Sequence, residues 1–370
     1  MNQQADISRE GDFYVPAFEV RVRGRRLHRT VINDVISLEY TDDLKAIDQF
    51  SMTINNWNAE TRSFKYSDAD LFLPKAEIEI DIGYLPADLH RVITGHITDM
   101  QVSFPAAGQS VLTVSGLNKL DELRNEQRSQ VFENMTDSAI ARQVVAPLDL
   151  DLRTDPSAEA REEEHEFVFQ HNQYDLLFLK DRARRIGYEL VVEETPDGNP
   201  RLYFGPSDSI RERPEYQLTY GRTLIDFQPQ LSTAKQVGSV RVQAWDRRNK
   251  APITGEARRS DLRTQGVGPA GQQSAIDSSL EGRVEVIADH PVRSQREADL
   301  LAQETLEKTA KEMVKGTGAV VGLPKLRAGG ILVLDGLGTR FSGRYFVTKT
   351  IHSISDAGYT TKFECRLEEV

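Results

Sequence analysis

Four groupings of residues could do chemistry if a fold brought them together. Gly266, Gly268 and Gly271 in GVGPAGQ have the G-x-G-x-x-G spacing that lets a backbone approach a pyrophosphate between a buried strand and a helix N-terminus. Here Thr264–Gln265 closes no strand, Pro269 interrupts the turn, and Gln272–Ser279 carries no apolar helical face, so no nucleotide site is expected. The seven histidines, His28, His90, His96, His165, His171, His290 and His352, show no H-x-x-x-H pair, and one cysteine adds no second ligand type, so no zinc site is expected. His165 and His171, beside Glu164 and Glu166, are expected to face solvent. The 57 acidic residues offer many carboxylate pairs, but glycoside hydrolysis needs two at a separation that spacing alone does not fix. A serine nucleophile lacks its G-x-S-x-G turn, since Gly116 follows Ser115 without a glycine before it. No catalytic, cofactor-binding or metal-ligating residue is therefore assigned, and no cofactor is expected.

Any such residues would be positioned by a chain of 370 residues, long enough for two or three cores. Its 39% hydrophobic and 28% charged content is that of an ordinary globular protein with a solvated surface. The net charge of −11, without a basic stripe, argues against specific nucleic-acid binding. No basic segment precedes an apolar one at the N-terminus, and no apolar run approaches the ~18 residues of a span, so membrane insertion is not expected. Cys365 alternates with Phe363 and Leu367, the pattern of a buried thiol in a strand, and a lone cysteine suits a reducing compartment.

The first third is β-rich. Phe18, Val20 and Val22, then Phe50, Met52 and Ile54, then Ile78, Ile80 and Ile82 alternate with polar neighbours at period two, and the polar alternates are expected to face water or a partner. Within Leu89–Phe104 the apolar phase slips, because Ile93 and Ile97 share one face while Met100, Val102 and Phe104 share the other. A β-bulge near Thr98–Asp99 would absorb the slip and bend the strand. The middle changes character. Asp155–His165 reads as a solvated linker, Gln173–Ile186 as a helix capped by Gly187, and Tyr188–Glu194 and Arg201–Phe204 as a hairpin. A strand follows at Val237–Trp245, then an exposed loop over 250–281, a strand at Arg283–Ala288 and the longest helix, roughly Ser294–Lys315, ended by Gly316. From Gly322 onward short strands alternate with turns at Gly329–Gly330, Gly336, Gly338, Gly343 and Gly358, as in a meander of hairpins. The two β-rich thirds look like two versions of one barrel.

Two stretches carry a family resemblance. The order G-x-P-x-L, G-L-G-x-x-F-S-G-x-Y-x-V, H-x-I and G-Y-x-T-x-F-E near the C-terminus resembles the C-terminal barrel of the phage late control gene D protein family, which includes the hub part of VgrG spikes. FVFQHNQYDLLFLKDRARRIGYELVV and the earlier VITGHIT at Val92–Thr98 are similar to further hub segments. The resemblance implies a mainly β fold with an α+β insertion: two tube-protein-like β-barrels plus a small α/β domain. The expected division is a first barrel over 1–118, an α/β insertion over 119–235, and a second barrel over 236–370 with its long helix and loop.

It further implies a structural baseplate hub, not an enzyme, of a contractile phage tail or phage-tail-like injection system. Three copies would form a pseudo-sixfold ring joining the hexameric tail tube to a trimeric spike. Expected partners are two further copies, the tail tube protein, a spike protein, other baseplate proteins, and the tape-measure protein or cargo in the channel. The chain stops just after the second barrel, so the spike is expected to be a separate polypeptide. Assembly would take place in the bacterial cytoplasm, within a tail or tail-like particle. The alternatives are a cell-wall-degrading glycosidase or a carbohydrate-binding module of a tail.

Overall fold

The computed structural model describes residues 15–369 apart from 87–88, 149, 195–199, 208–214, 247–248, 263–275, 290–291 and 293. Six N-terminal strands form where the sequence alternates: β1 (Val15–Val22), β2 (Val35–Asp43), β3 (Gln49–Asn55), β4 (Glu77–Leu85), β5 (His90–Ser103) and β6 (Val111–Asn118). Their spatial order is β1-β4-β5-β6-β3-β2, all antiparallel. The apolar alternates, among them Val20, Met52, Ile54, Ile78, Ile80 and Val114, close a core from which water is excluded. Each such side chain contributes roughly 1.5–3 kcal/mol of transfer free energy.

A mixed segment follows, built from β7 (Gln127–Met135), α1 (Asp137–Val145), β8 (Asp151–Thr154), β9 (His165–Tyr174), α2 (Asp175–Arg185), β10 (Tyr188–Glu194) and β11 (Pro200–Pro206). Thr136 caps α1 by accepting from the Ala139 N–H, and Gly187, at φ 71°, turns the chain out of α2. The helices bury Ile140, Val144, Leu176 and Leu179 against Leu190, Leu202 and Phe204, a second core. The stretch over Asp155–His165 is not a free linker: Glu159 pairs with Arg142, and Glu162 accepts from the Ser138 N–H and hydroxyl.

The C-terminal part contains β12 (Glu215–Thr219), β13 (Leu224–Leu231), β14 (Ser239–Asp246), β15 (Ala251–Arg258), β16 (Val284–Ile287), α3 (Gln295–Lys311), β17 (Val314–Val321), β18 (Ile331–Asp335), β19 (Gly343–Ser355) and β20 (Gly358–Glu369). Three sequence expectations change here. Strands β12 and β13 pair with β18 and β17, so the second β unit begins upstream of the expected 235/236 boundary. The start of the expected 250–281 loop is β15, which pairs with β14 from Ala251 to Arg258 while its alternate residues are buried, and 263–275 lies outside the described residues. The long helix ends at Lys311, and Gly316 sits inside β17, where the Phe227 ring leaves no room for a Cβ. The turn glycines Gly329, Gly336, Gly338, Gly343 and Gly358 do take positive φ.

Strands β12, β13, β17, β18, β19 and β20 have the spatial order β12-β18-β19-β20-β17-β13. Numbered along the chain within each unit, both orders are 1-4-5-6-3-2. The ladders also agree residue by residue: Met52 faces Leu38 and Val114, as Gly318 faces Phe227 and Phe363. Two irregularities recur in place. The fifth strands bulge at Thr98 and Thr348, whose hydroxyls donate to the Ser115 and Glu364 carbonyls at 3.4 and 3.2 Å. The second strands bulge at Ile36 and Ile225. The units also differ: β12 runs parallel to β18 whereas β1 is antiparallel to β4, and the register shifts at Ile80/Asp81 and at Arg344/Tyr345 have no counterpart in the other unit. Between the second and third strands of the C-terminal unit, β14–β16 and α3 form their own small layer, with Val240, Val242, Ala298, Ala302 and Leu306 in its core. The whole is mainly β with α+β insertions.

Candidate assembly surface

The two β units are joined edge to edge. The second half of β19 pairs antiparallel with β2, from Lys349 opposite Asp43 to Ser355 opposite Ser37, which joins the twelve strands of both units, with the short strand Arg25–Arg26 beside β1, into a single thirteen-stranded sheet. Beneath this seam lies a buried polar node. The Arg327 Nε donates to Asp42 Oδ2 at 2.5 Å, its terminal nitrogen reaches the Tyr40 hydroxyl, and the Ala328 N–H also donates to Asp42 at 3.1 Å. Asp42 and Arg327 are 4% and 7% exposed, so each depends on the other for charge compensation.

His352 extends the node. Its Nε2 lies 2.9 Å from the Leu326 carbonyl, which can only accept, so Nε2 carries the hydrogen. Its Nδ1 therefore accepts from the hydroxyls of Tyr359 at 2.9 Å and Thr361 at 3.2 Å. Burial, reinforced by the nearby Arg327 cation, lowers the His352 pKa to about 3, so the ring is neutral in the folded protein at ordinary pH. The loop Gly322–Ala328, the G-x-P-x-L segment of the sequence, is thus fixed to the strands of both units, and Tyr84 of the first donates to the Gly322 carbonyl at 3.0 Å.

One face of the continuous sheet is polar. Residues directly opposite in adjacent strands share a face. One such row runs Gln228, Thr317, Glu364, Lys349, Asp43, and another runs Ser353, Glu39, Ser51, Ser115, Asp99. Apolar neighbours in sequence, among them Leu38, Tyr40, Met52, Val114, Phe363 and Cys365, belong to the two cores. Ser115 therefore belongs to a polar wall, where its partners across the ladder are Ser51 and Asp99.

Two strand edges end this wall. Past Ile97, which still exchanges bonds with Lys75 and Ala76, β5 pairs only with β6 among the described residues. At the other end, among the described residues β13 pairs only with β17, apart from one isolated bridge between Leu224 and Tyr220.

The remaining chemical candidates fall elsewhere. Gly266, Gly268 and Gly271 lie outside the described residues. His165 does not face open water as expected: it lies 2.8 Å from the Arg182 guanidinium and 3.1 Å from Asp137, with an 18% exposed side chain. Burial pushes the Asp137 carboxyl up, but the His165 hydrogen bond and the Arg182 cation outweigh it and hold the group below the usual range. His171 is exposed beside the Phe169 ring. Cys365 is buried, and burial pushes its thiol well up. Among the described residues no three acidic, histidine or cysteine side chains cluster as a metal site. No helix there is long and apolar enough to cross a membrane.

A family model described as the Alg8 N-terminal domain matches residues 13–356. The chain belongs to that family. A comparison with curated proteins found no match. Among solved structures, the 43 kDa tail protein of prophage MuSo2 from Shewanella oneidensis superimposes with a TM-score of 0.71 at 14% identity, covering 95% of this chain and 98% of that one. A tail protein from Neisseria meningitidis MC58 gives 0.69 at 16% identity, over 95% and 97%. The E. coli c3393 protein, a component of the type VI secretion system with structural similarity to the T4 tail proteins gp27 and gp5, gives 0.61 at 13% identity, over 95% and 77%. The chain has the fold of phage tail proteins.

Proposed function

We propose that this chain is a structural hub of a contractile phage tail or tail-like injection system, of the late control gene D or VgrG type. Three copies form a ring that joins a hexameric tail tube to a trimeric spike. The single observation that carries the proposal is the in-register duplication: two β units of equal strand order, with matching bulges in their second and fifth strands, share one sheet. A ring of three such chains presents six similar units on one side and three chains on the other, which is the match a sixfold tube and a threefold spike require. The tail-protein fold supports the same reading.

In domain terms, the two tube-like barrels carry the ring, and the segments over 119–206 and 239–311 are insertions that face other baseplate proteins. The polar sheet face lines the channel past which tape-measure protein or cargo moves. The work is that of a scaffold and conduit, with no catalytic step and no cofactor, and the particle forms in the bacterial cytoplasm. The test is native mass measurement of the full chain, alone and with a candidate spike protein. The expected result is a trimer, and a monomer under both conditions at assembly concentrations would overturn the proposal.

A further inference from the structure

The duplication assigns a residue-level partner to each open edge. Inside one chain, the second half of the fifth strand of the C-terminal unit (β19) pairs with the second strand of the N-terminal unit (β2). The corresponding edges that have no partner strand among the described residues are the second half of β5 and the outer side of β13. We propose that these two edges pair between neighbouring copies, β5 of one chain adding antiparallel to β13 of the next, in the register of the internal seam. This rests on the ring proposed above and states which backbone closes it.

The register follows from the bulges. Thr98 occupies the place of Thr348, so Asp99, Met100, Gln101 and Val102 stand where Lys349, Thr350, Ile351 and His352 stand in β19. Ile225 occupies the place of Ile36, so Phe227, Gln228, Pro229, Gln230 and Leu231 stand for Leu38, Glu39, Tyr40, Thr41 and Asp42. Transferring the internal pairing sets Met100 opposite Leu231, Gln101 opposite Gln230, Val102 opposite Pro229 and Ser103 opposite Gln228.

Two independent features fit. The first is burial. In the internal seam Leu38, Tyr40, Thr350 and His352 are at most 2% exposed. Their counterparts Phe227, Pro229, Met100 and Val102 are only half-buried, with Met100 and Val102 packed against the first core and Phe227 against the C-terminal one. A neighbouring strand would bury them further.

The second is the direction of the backbone groups. The Ser232 N–H donates to the Met313 carbonyl across the β17 side. In an antiparallel ladder these groups alternate, so those of Leu231, Pro229 and Phe227 point outward to the open edge. Pro229 therefore removes no bond within its own unit, which is where proline is tolerated in a sheet. Its carbonyl still accepts from the Val102 N–H of the next chain, and one bond of the seam is absent. A proline here also blunts the edge against indiscriminate strand addition.

The experiment is disulfide mapping in the full chain, whose one native cysteine is buried. Gln101 and Gln230 are exposed, and the transferred register makes them a non-hydrogen-bonded pair with Cα atoms about 4.5 Å apart, within disulfide range. The double variant Gln101→Cys/Gln230→Cys should form covalent trimers on mild oxidation, with neither single variant doing so. The register control Gln101→Cys/Gln228→Cys, displaced by two residues, should cross-link at least tenfold more slowly. Native mass is measured on the same samples. A trimer without the 101–230 cross-link, or with equal cross-linking in the control, overturns the seam while leaving the ring intact. Monomers throughout overturn the ring and the seam together.

Discussion

Asp42 and Arg327, 285 residues apart in sequence, meet at the place where the two β units become one sheet. Removing one member of a buried pair leaves an uncompensated charge, which typically costs about 3–5 kcal/mol. Arg327→Met should lower unfolding stability by that order in urea titration, and Asp42→Leu combined with it should cost less than the two single losses added. A loss below about 1 kcal/mol for Arg327→Met would remove the node from any account of how the units are held together. His352 makes a separate prediction. Its pKa is 6.5 in the unfolded chain and about 3 when folded, so between these values the unfolded state binds more protons and stability falls as pH falls. His352→Gln, which keeps a donor toward the Leu326 carbonyl, lacks this titration. The stability difference between native protein and variant should shift against the native protein by about 2 kcal/mol from pH 7 to pH 5. A pH-independent difference in parallel urea titrations would mean that His352 is accessible to protons in the folded state.

At the scale of elements, α3 lies against β15 with its backbone close to the sheet. A Cβ on Gly255 would fall inside the main chain of Ala298, which helix and strand cannot both avoid without separating. Gly255→Ala should therefore destabilise by about 1–3 kcal/mol, seen as a lower urea midpoint at unchanged slope, and unaltered stability would show that the layer can slide. The sequence signals for elements were uneven in a physically sensible way. Period-two alternation located β1, β3 and β4, and the slip of phase between Ile97 and Met100 located the bulge at Thr98, because a bulge exchanges the faces of a strand. The strand at Ala251–Arg258 escaped, since its buried positions include Gly255 and Ala257, which carry no hydrophobic signal although they pack under a helix. The sequence pattern carries the helix past the true end of α3 for a related reason: Val314, Gly316 and Gly318 continue inward-facing small and apolar residues into β17 without a break in polarity. The buried node left one local trace, His352 in the H-x-I motif, and nothing near Asp42 or Arg327 marked them as partners.

At the scale of the whole molecule, one sheet crosses both β units and presents a polar face flanked by two open edges. Among the described residues no further strand of the chain covers those edges, and in the proposed ring a neighbouring copy would. Images of the assembled particle along its axis should show six similar β units on one side and threefold insertions on the other, and a particle with unequal spacing between internal and intermolecular seams would argue against equivalent strand pairing. By itself the sequence determined the local alternation of faces, the turn glycines, the helical stripes, the acidic balance and the order of motifs that resembles tail hubs, because all of these are properties of residues close in the chain. Only the tertiary structure decided that β12 and β13 belong with strands a hundred residues later, that the two units share a strand order and the bulges of their second and fifth strands, and that β19 closes on β2. The reason is that strand pairing joins distant segments through backbone groups common to every residue, so the partner of an edge is written in geometry and not in side-chain type.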